Sequence, residues 1–200
     1  MTNARIGRVL VASLHQAIGD LLPTRLEFYE NWLSAGGLKT GSMSLAATTA
    51  VLSFLRGEGP AYAAVMARAG EYAGTWTVEG LSGLKRRVTR ALPGSLRARA
   101  ALRLGRALVR RIYRPSRAIT RYRRRAATVE LRGSLFCDVR QAGQLPLCGF
   151  YAAAFASLLE QFGVPADVRV DACRGAGAEG CSLSVVVRGP ALEDGTAAAA

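Results

Sequence analysis

The apolar residues of this chain keep a helical period through its first part and mix helical and strand-like periods in its last, and that shift constrains the architecture more than any other feature. Ile6, Leu10, Leu14, Ile18 and Leu21 recur at helical spacing, which predicts a helix over residues 4–21 closed by Pro23. Thr24 followed three residues later by Glu27 has the form of a capping box. It opens a second helix in which Phe28 and Trp32 share a face, ended by Ala35-Gly36-Gly37. Two further helices are predicted over 43–56, with Leu45, Leu52 and Leu55, and over 60–75, with Tyr62, Val65, Met66 and Ala69; Gly57-Glu58-Gly59-Pro60 separates them.

Beyond residue 125 the texture is different. Residues 128–136 read as a strand with β-branched residues and partial alternation. A loop containing Pro146 leads into the clearest helix of the chain, in which Cys148, Tyr151, Phe155, Leu158, Leu159 and Phe162 keep the helical period and Gly163 is the stop. Ala166–Ala172 and Ser182–Val187 then read as strands joined by a glycine-rich loop. The expected fold class is therefore α+β: an N-terminal helical layer packed on a small antiparallel sheet with a strand-helix-strand-strand unit at the C-terminal end. At 200 residues, half of them apolar, the chain can bury one core, so residues 1–190 are expected to form one domain and 191–200 a disordered tail. No apolar run reaches the roughly 18 residues of a spanning helix.

The formal charge of +13 suggests a polyanion partner until the charges are located. Of the 27 basic residues, 16 lie among the 41 positions from Lys85 to Arg125, which contain no Asp or Glu. The remaining 11 basic and 14 acidic residues give a net charge of −3, so the cationic character belongs to one segment. Residues 85–125 read as a basic helical segment in which Arg99, Arg103, Arg106, Arg110, Arg114, Arg117 and Arg121 fall within about 80° on a continuous helix, with Pro115 as its interruption. Leu96, Ala100, Leu104, Ala107 and Leu108 form the neighbouring apolar face. This pattern suits a solvated helix face or an anionic membrane surface better than nucleic acid, because only Tyr113 and Tyr122 are interleaved for base stacking.

Gly175-Ala176-Gly177-Ala178-Glu179-Gly180 has the spacing of a dinucleotide-binding loop, but Cys181-Ser182-Leu183-Ser184-Val185 after it is strand-like where that site needs a helix. No nucleotide cofactor is expected. His15, the only histidine, reads as a partly exposed helix residue, and no Gly-x-Ser-x-Gly elbow is present. The cysteines carry more. Cys137 ends a strand, Cys148 opens the strong helix, and Cys173 and Cys181 bracket the hairpin loop. A thiol at a helix N-terminus has its thiolate favoured, which makes Cys148 a candidate metal ligand or reactive thiol; no Cys-x-x-Cys knuckle accompanies it, and four core hydrophobes is the competing reading. With no secretory segment read at the start, the chain is expected to be cytoplasmic, or peripheral to the inner membrane if the arginines bind lipid.

Cys148-Gly149, a helix ending at Phe162-Gly163, the strand residues Val168-Arg169-Val170, then Cys173, a glycine-containing loop, Cys181 and a closing apolar strand together resemble the 4-vinyl reductase domain family over residues 128–188. That family shares its fold with transport-protein-particle (TRAPP-like) subunits and with the sensor domains of aromatic-responsive bacterial regulators. The resemblance implies a non-catalytic module that binds a hydrophobic aromatic or tetrapyrrole-type ligand as sensor or carrier. It also implies a structural zinc held by Cys148, Cys173 and Cys181 with a carboxylate as fourth ligand. Where the family pattern has Glu, this chain has Val170, so Asp171 and Cys137 are the two candidates for the fourth position. Tyr72, Trp76, Phe150, Tyr151 and Phe155 are the expected pocket-lining aromatics. The family name points to a competing enzymatic reading, a bacteriochlorophyll-pathway 4-vinyl reductase or its accessory protein, and the arginines to a third, a peripheral membrane adaptor. The family's habit is a homodimer formed through the N-terminal helices, and a sensor of this kind signals through a separate protein.

Overall fold

The computed structural model describes residues 5–33, 42–123, 125–139, 143 and 145–188. Among these residues the fold is α+β, with seven helices, a two-stranded sheet and a four-stranded antiparallel sheet. The chain starts as a strand, β1 (Arg5–Gly7), paired antiparallel with β2 (Ser42–Ser44), and only then enters α1 (Arg8–Leu21). Ile6 is buried, as its place in the apolar stripe required, but as a strand residue that also bridges to Tyr113. Long-range pairing has overridden the helical period at this end.

In α2 (Leu26–Leu33) the buried pair is Tyr29 and Leu33. Phe28 and Trp32 do share a face, but it is the exposed one, where both rings pack on Phe54 at centroid distances of 5.2 and 5.5 Å. The expected stop at Ala35-Gly36-Gly37 and the tail at 191–200 lie outside the described residues. α3 (Leu45–Gly57) begins with the Ser44 hydroxyl accepting from the Ala47 amide at 3.2 Å. It is followed by α4 (Pro60–Glu79), which has Pro at its first position.

The basic segment is not one helix. It forms α5 (Gly83–Ala91), α6 (Gly94–Ile112) and then β3 (Arg117–Arg123). Helix α6 stops where Tyr113 turns extended (φ −147°, ψ 113°), two residues before Pro115, whose ring and missing N–H bar a helix interior. Arg99, Arg103, Arg106 and Arg110 therefore lie on α6, Arg114 in the turn, and Arg117 and Arg121 on β3; all seven are exposed. The buried face of α6 is Ala98, Ala101, Leu102, Gly105, Leu108, Val109 and Ile112, rotated from the expected face, of which Leu108 alone is buried.

The larger sheet has the order β3–β4–β6–β5, with β4 (Ala126–Arg132), β5 (Ala166–Ala172) and β6 (Cys181–Val187). Strand β4 is shorter than expected because Gly133, at φ +64°, turns the chain into a single 3₁₀ turn at Leu135–Cys137. Between β4 and β5 runs α7 (Gly149–Gln161), which completes the strand-helix-strand-strand unit. Ala127, Val129 and Leu131 of β4 and Leu183 and Val185 of β6 alternate inward. Phe150, Tyr151, Phe155, Leu158 and Leu159 of α7 are buried in the same core. Helix α4 crosses α7 closely because Gly70 and Gly74 stand at the contact: a Cβ on Gly74 would lie 2.7 Å from Ser157, and one on Gly70 would meet the Phe150 carbonyl. The crossing is fastened by the Ser157 hydroxyl donating to the Glu71 carbonyl at 3.1 Å. No described helix is long and apolar enough to cross a membrane.

Candidate metal centre and adjoining cleft

Four short elements deliver the four cysteines to one point. Cys137 ends the 3₁₀ turn after β4, and Cys148 is the N-cap residue of α7, its carbonyl accepting from the Tyr151 and Ala152 amides at 3.0 and 3.3 Å. Cys173 leaves β5, and Cys181 opens β6. The loop between the last two is wound on Cys173, whose carbonyl accepts from Ala176 at 2.9 Å and Ala178 at 3.2 Å, with Gly177 left-handed at φ +91°. The glycine run is thus a hairpin connection, as the strand-like residues after it required.

All four thiols are buried and none is in a disulfide. Cys137 Sγ lies 3.2 Å from Cys148, 3.3 Å from Cys173 and 3.5 Å from Cys181, and Cys148 and Cys173 are 3.8 Å apart. The four sulfurs lie within 4.8 Å of one another. Two backbone amides point into the cluster: Leu147 N–H donates to Cys173 Sγ at 3.2 Å and Arg174 N–H to Cys181 Sγ at 3.3 Å. Hydrogen bonds from Cys137, Cys148 and Cys181, with the Leu147 amide, hold Cys173 well below the ordinary thiol range. Cys181 is lowered to about 7 by hydrogen bonds first from Cys137 and then from Cys148, with help from the Arg174 amide. Cys148 is pushed up by its bonds to Cys137, Cys173 and Cys181 and by burial. The neighbouring thiols outweigh the favourable helix end at Cys148.

This donor set fits a soft divalent metal. Four thiolates about 2.3 Å from a tetrahedral zinc stand roughly 3.8 Å from one another, and the observed separations bracket that value closely enough to close with small side-chain shifts. The two N–H···S bonds are outer contacts of the kind that orient thiolate ligands. The residues that would hold the ion are Cys137, Cys148, Cys173 and Cys181. Asp171 is not among them: a register shift between Val170 and Ala172 removes the strand alternation that would have put it on the face of Cys173. Its exposed carboxylate instead accepts from the Ser184 hydroxyl at 2.7 Å.

Beside the cluster opens a cleft of about 800 Å³. One wall is Thr49, Ser53 and Arg56 of α3, and another is Tyr62 of α4; Asp138 and Leu147 come from the segments that follow Cys137 and precede Cys148. Leu147 belongs to both sites, because its amide is on Cys173 and its carbonyl accepts from the Tyr62 hydroxyl at 3.3 Å. The spacings of Thr49, Ser53 and Arg56 put them on one side of a mostly apolar helix, a polar stripe visible in the sequence that the aromatic-pocket expectation passed over.

None of the five expected pocket aromatics lines this cleft. Phe150, Tyr151 and Phe155 are core, with Phe150 and Tyr151 packed on Phe136 at 5.1 and 5.0 Å. Tyr72 and Trp76 stack on each other at 5.3 Å on α4, and the Tyr72 hydroxyl donates to Asp20. His15 pairs with Glu30 at 2.8 Å between α1 and α2.

No protein-family model matches the sequence, and no curated protein matches it. Solved structures do match the fold. The phenol-responsive sensory domain of the transcription activator PoxR, with phenol, superposes with a TM-score of 0.56 at 15% identity, over 75% of this chain and 82% of that one. An Fe(II) unliganded H-NOX protein from K. algicida, an alanine-to-glycine mutant, superposes with a TM-score of 0.63 at 12% identity, over 93% of this chain and 98% of that one. At these identities the likeness is one of fold.

Proposed function

We propose that this chain is a non-catalytic ligand-binding domain, a sensor or carrier for a hydrophobic small molecule, in which Cys137, Cys148, Cys173 and Cys181 hold a structural zinc that shapes the wall of the binding cleft. The observation that carries the reading is the double role of Leu147, fastened to the cysteine cluster through its amide and to the cleft residue Tyr62 through its carbonyl. Two solved domains of the same fold, one named for its response to phenol, support a sensor role. The lining favours an aromatic ligand with one polar or anionic end. Leu145 and Leu147 offer apolar contact, while Thr49, Ser53, Arg56 and Tyr62 supply hydrogen bonds and one positive charge. A zinc here would cross-link the four elements that carry the cysteines, with all four positions of a tetrahedral ion taken by protein thiolates.

Native mass spectrometry of the full chain, freshly purified, tests the proposal. The expected result is one zinc per chain, lost on denaturation, together with saturable binding of phenol in a titration that Arg56→Ala or Tyr62→Phe weakens. A chain that carries no zinc and takes up none when zinc is added overturns the metal assignment. Phenol binding unchanged in both cleft variants overturns the cleft.

A further inference from the structure

Helix α5 is unlike the other helices in that it buries none of its nine residues. Leu84 is 73% exposed and Val88 55%, and their spacing of four stacks them along one side. With Ala100, Leu104 and Phe162 they line an open groove of about 830 Å³ between α5 and α6, walled by Lys85 and Arg103. The rest of α5 is cationic, with Arg87 and Arg90 exposed and Arg86 half-buried, and the outer face of α6 adds exposed Arg99 and Arg106. No acidic residue occurs from Lys85 to Arg125 to neutralise this face. The helix is held at its end by Arg90, whose Nε donates to the Gln161 carbonyl at 3.3 Å, and by its sequence neighbour α6.

We propose that α5, with the α5–α6 groove, is a docking surface for an anionic lipid bilayer. A short helix that leaves two large aliphatic side chains in water, flanked by four cations and no anion, has the composition of a helix that lies in a membrane interface. Leu84 and Val88 enter the acyl boundary and close the groove, while Lys85, Arg86, Arg87 and Arg103 meet lipid phosphates. Charge complementarity sets the sign of the partner, and the apolar centre sets its kind: a nucleic-acid backbone would cover the cations and leave Leu84 and Val88 with nothing to bury against. The proposal does not depend on the cysteine centre or the cleft.

Co-sedimentation of the full chain with vesicles tests it. Binding is expected to phosphatidylcholine vesicles containing about 30% phosphatidylglycerol and not to pure phosphatidylcholine, and to weaken at least about tenfold between roughly 0.05 and 0.5 M salt. Leu84→Asp with Val88→Asp, and separately Arg86→Glu with Arg87→Glu, are each expected to lower the partition coefficient by about tenfold or more. Their thermal melts should match the parent, because α5 places none of its residues in the core. Absence of vesicle binding at low salt overturns the proposal. So does binding that the aspartate pair leaves intact, since adsorption by charge alone needs no apolar ridge. Tighter retention on duplex DNA or polyglutamate than on anionic vesicles overturns it in favour of a polyanion partner.

Discussion

The backbone amide of Leu147 donates to the sulfur of Cys173 at 3.2 Å, across 26 positions of sequence, and ties the wall of the cleft to the far side of the cysteine centre. Leu147 is buried, and its side chain sits against Gly175 in the hairpin loop, where an added Cβ would lie 2.6 Å from it. A change in the cysteine cluster is therefore expected to reach the cleft through backbone rather than through a flexible side chain.

The first prediction follows from that coupling. Cys173→Ser removes one of the four thiols of the proposed zinc site and exchanges a good N–H···S acceptor for a shorter side chain. It is expected to abolish stoichiometric zinc, to lower the melting temperature by several degrees and to weaken phenol binding at the cleft. Arg56→Ala, which touches the cleft alone, is expected to weaken phenol binding with zinc content and melting unchanged. Zinc assay, thermal melting and calorimetric titration on the same samples check the split; a Cys173→Ser chain with parental melting and binding refutes the coupling.

The α4–α7 crossing gives a second. Gly70→Ala would improve helix propensity by up to about 1 kcal/mol, but the new methyl group faces the Phe150 carbonyl and Ala153, and a main-chain carbonyl in a helix cannot move aside. Overpacking of about 1–3 kcal/mol wins, and the melting temperature is expected to fall by roughly 2–10 °C. Gly57→Ala, where nothing lies within 4 Å of the added carbon, is the control and should leave stability equal or higher. Equal melting of the two variants would show that the helices are not in close contact.

Much of this was legible in the residues, and the misses share a cause. Period-3.6 and alternation patterns located α1, α3, α4, α7, β5 and β6, since each buries one stripe whose partner need not be known. The three cysteines at 148, 173 and 181 converge as their positions around a hairpin and a helix start implied. What failed was set by partners distant in sequence. Arg5–Gly7 pairs with a strand 37 residues away, and β3 finds its register on β4, so neither shows in its own periodicity. The face of α6 was misjudged for the opposite reason, because two apolar stripes lie side by side, and the one that packs sets Ala98, Ala101 and Gly105 among Leu102, Leu108, Val109 and Ile112. Choosing between Asp171 and Cys137 turned on a β-bulge, which no local pattern announces. Of the aromatic residues expected to line a pocket, Phe150, Tyr151 and Phe155 are core, whereas Tyr72 and Trp76 are half-buried on α4.

Tyr151 offers a third prediction. Its hydroxyl is buried without a hydrogen-bond partner among the described residues, and the nearby Ser116 hydroxyl donates to the Gly133 carbonyl at 2.6 Å. Removing an unsatisfied buried group costs nothing in lost bonds and relieves its desolvation. Tyr151→Phe is therefore expected to leave the melting temperature unchanged or raise it, whereas Tyr62→Phe, which loses the bond to Leu147, should cost about 1 kcal/mol. A Tyr151→Phe variant that melts several degrees lower would show that the hydroxyl serves a bond.

Tyr29 supplies the last, in alkaline solution. Its ring is fully buried and its hydroxyl donates to the Glu58 carboxylate at 3.1 Å. Burial first, and the Glu58 charge second, push the phenol up to about 12. An unfolded chain releases that proton near pH 10, so between about pH 10 and 12 the unfolded state sheds a proton that the folded state keeps. Stability from the neutral phenol is complete below about pH 10 and is lost progressively as pH rises toward 12. Tyr29→Phe has no such proton. It is expected to be less stable than the parent at pH 7 by about 1 kcal/mol, for the lost hydrogen bond, and to decline less steeply above about pH 10. Urea midpoints measured across this range for both chains test the claim: curves that converge as pH rises bear it out, and curves that stay parallel refute it.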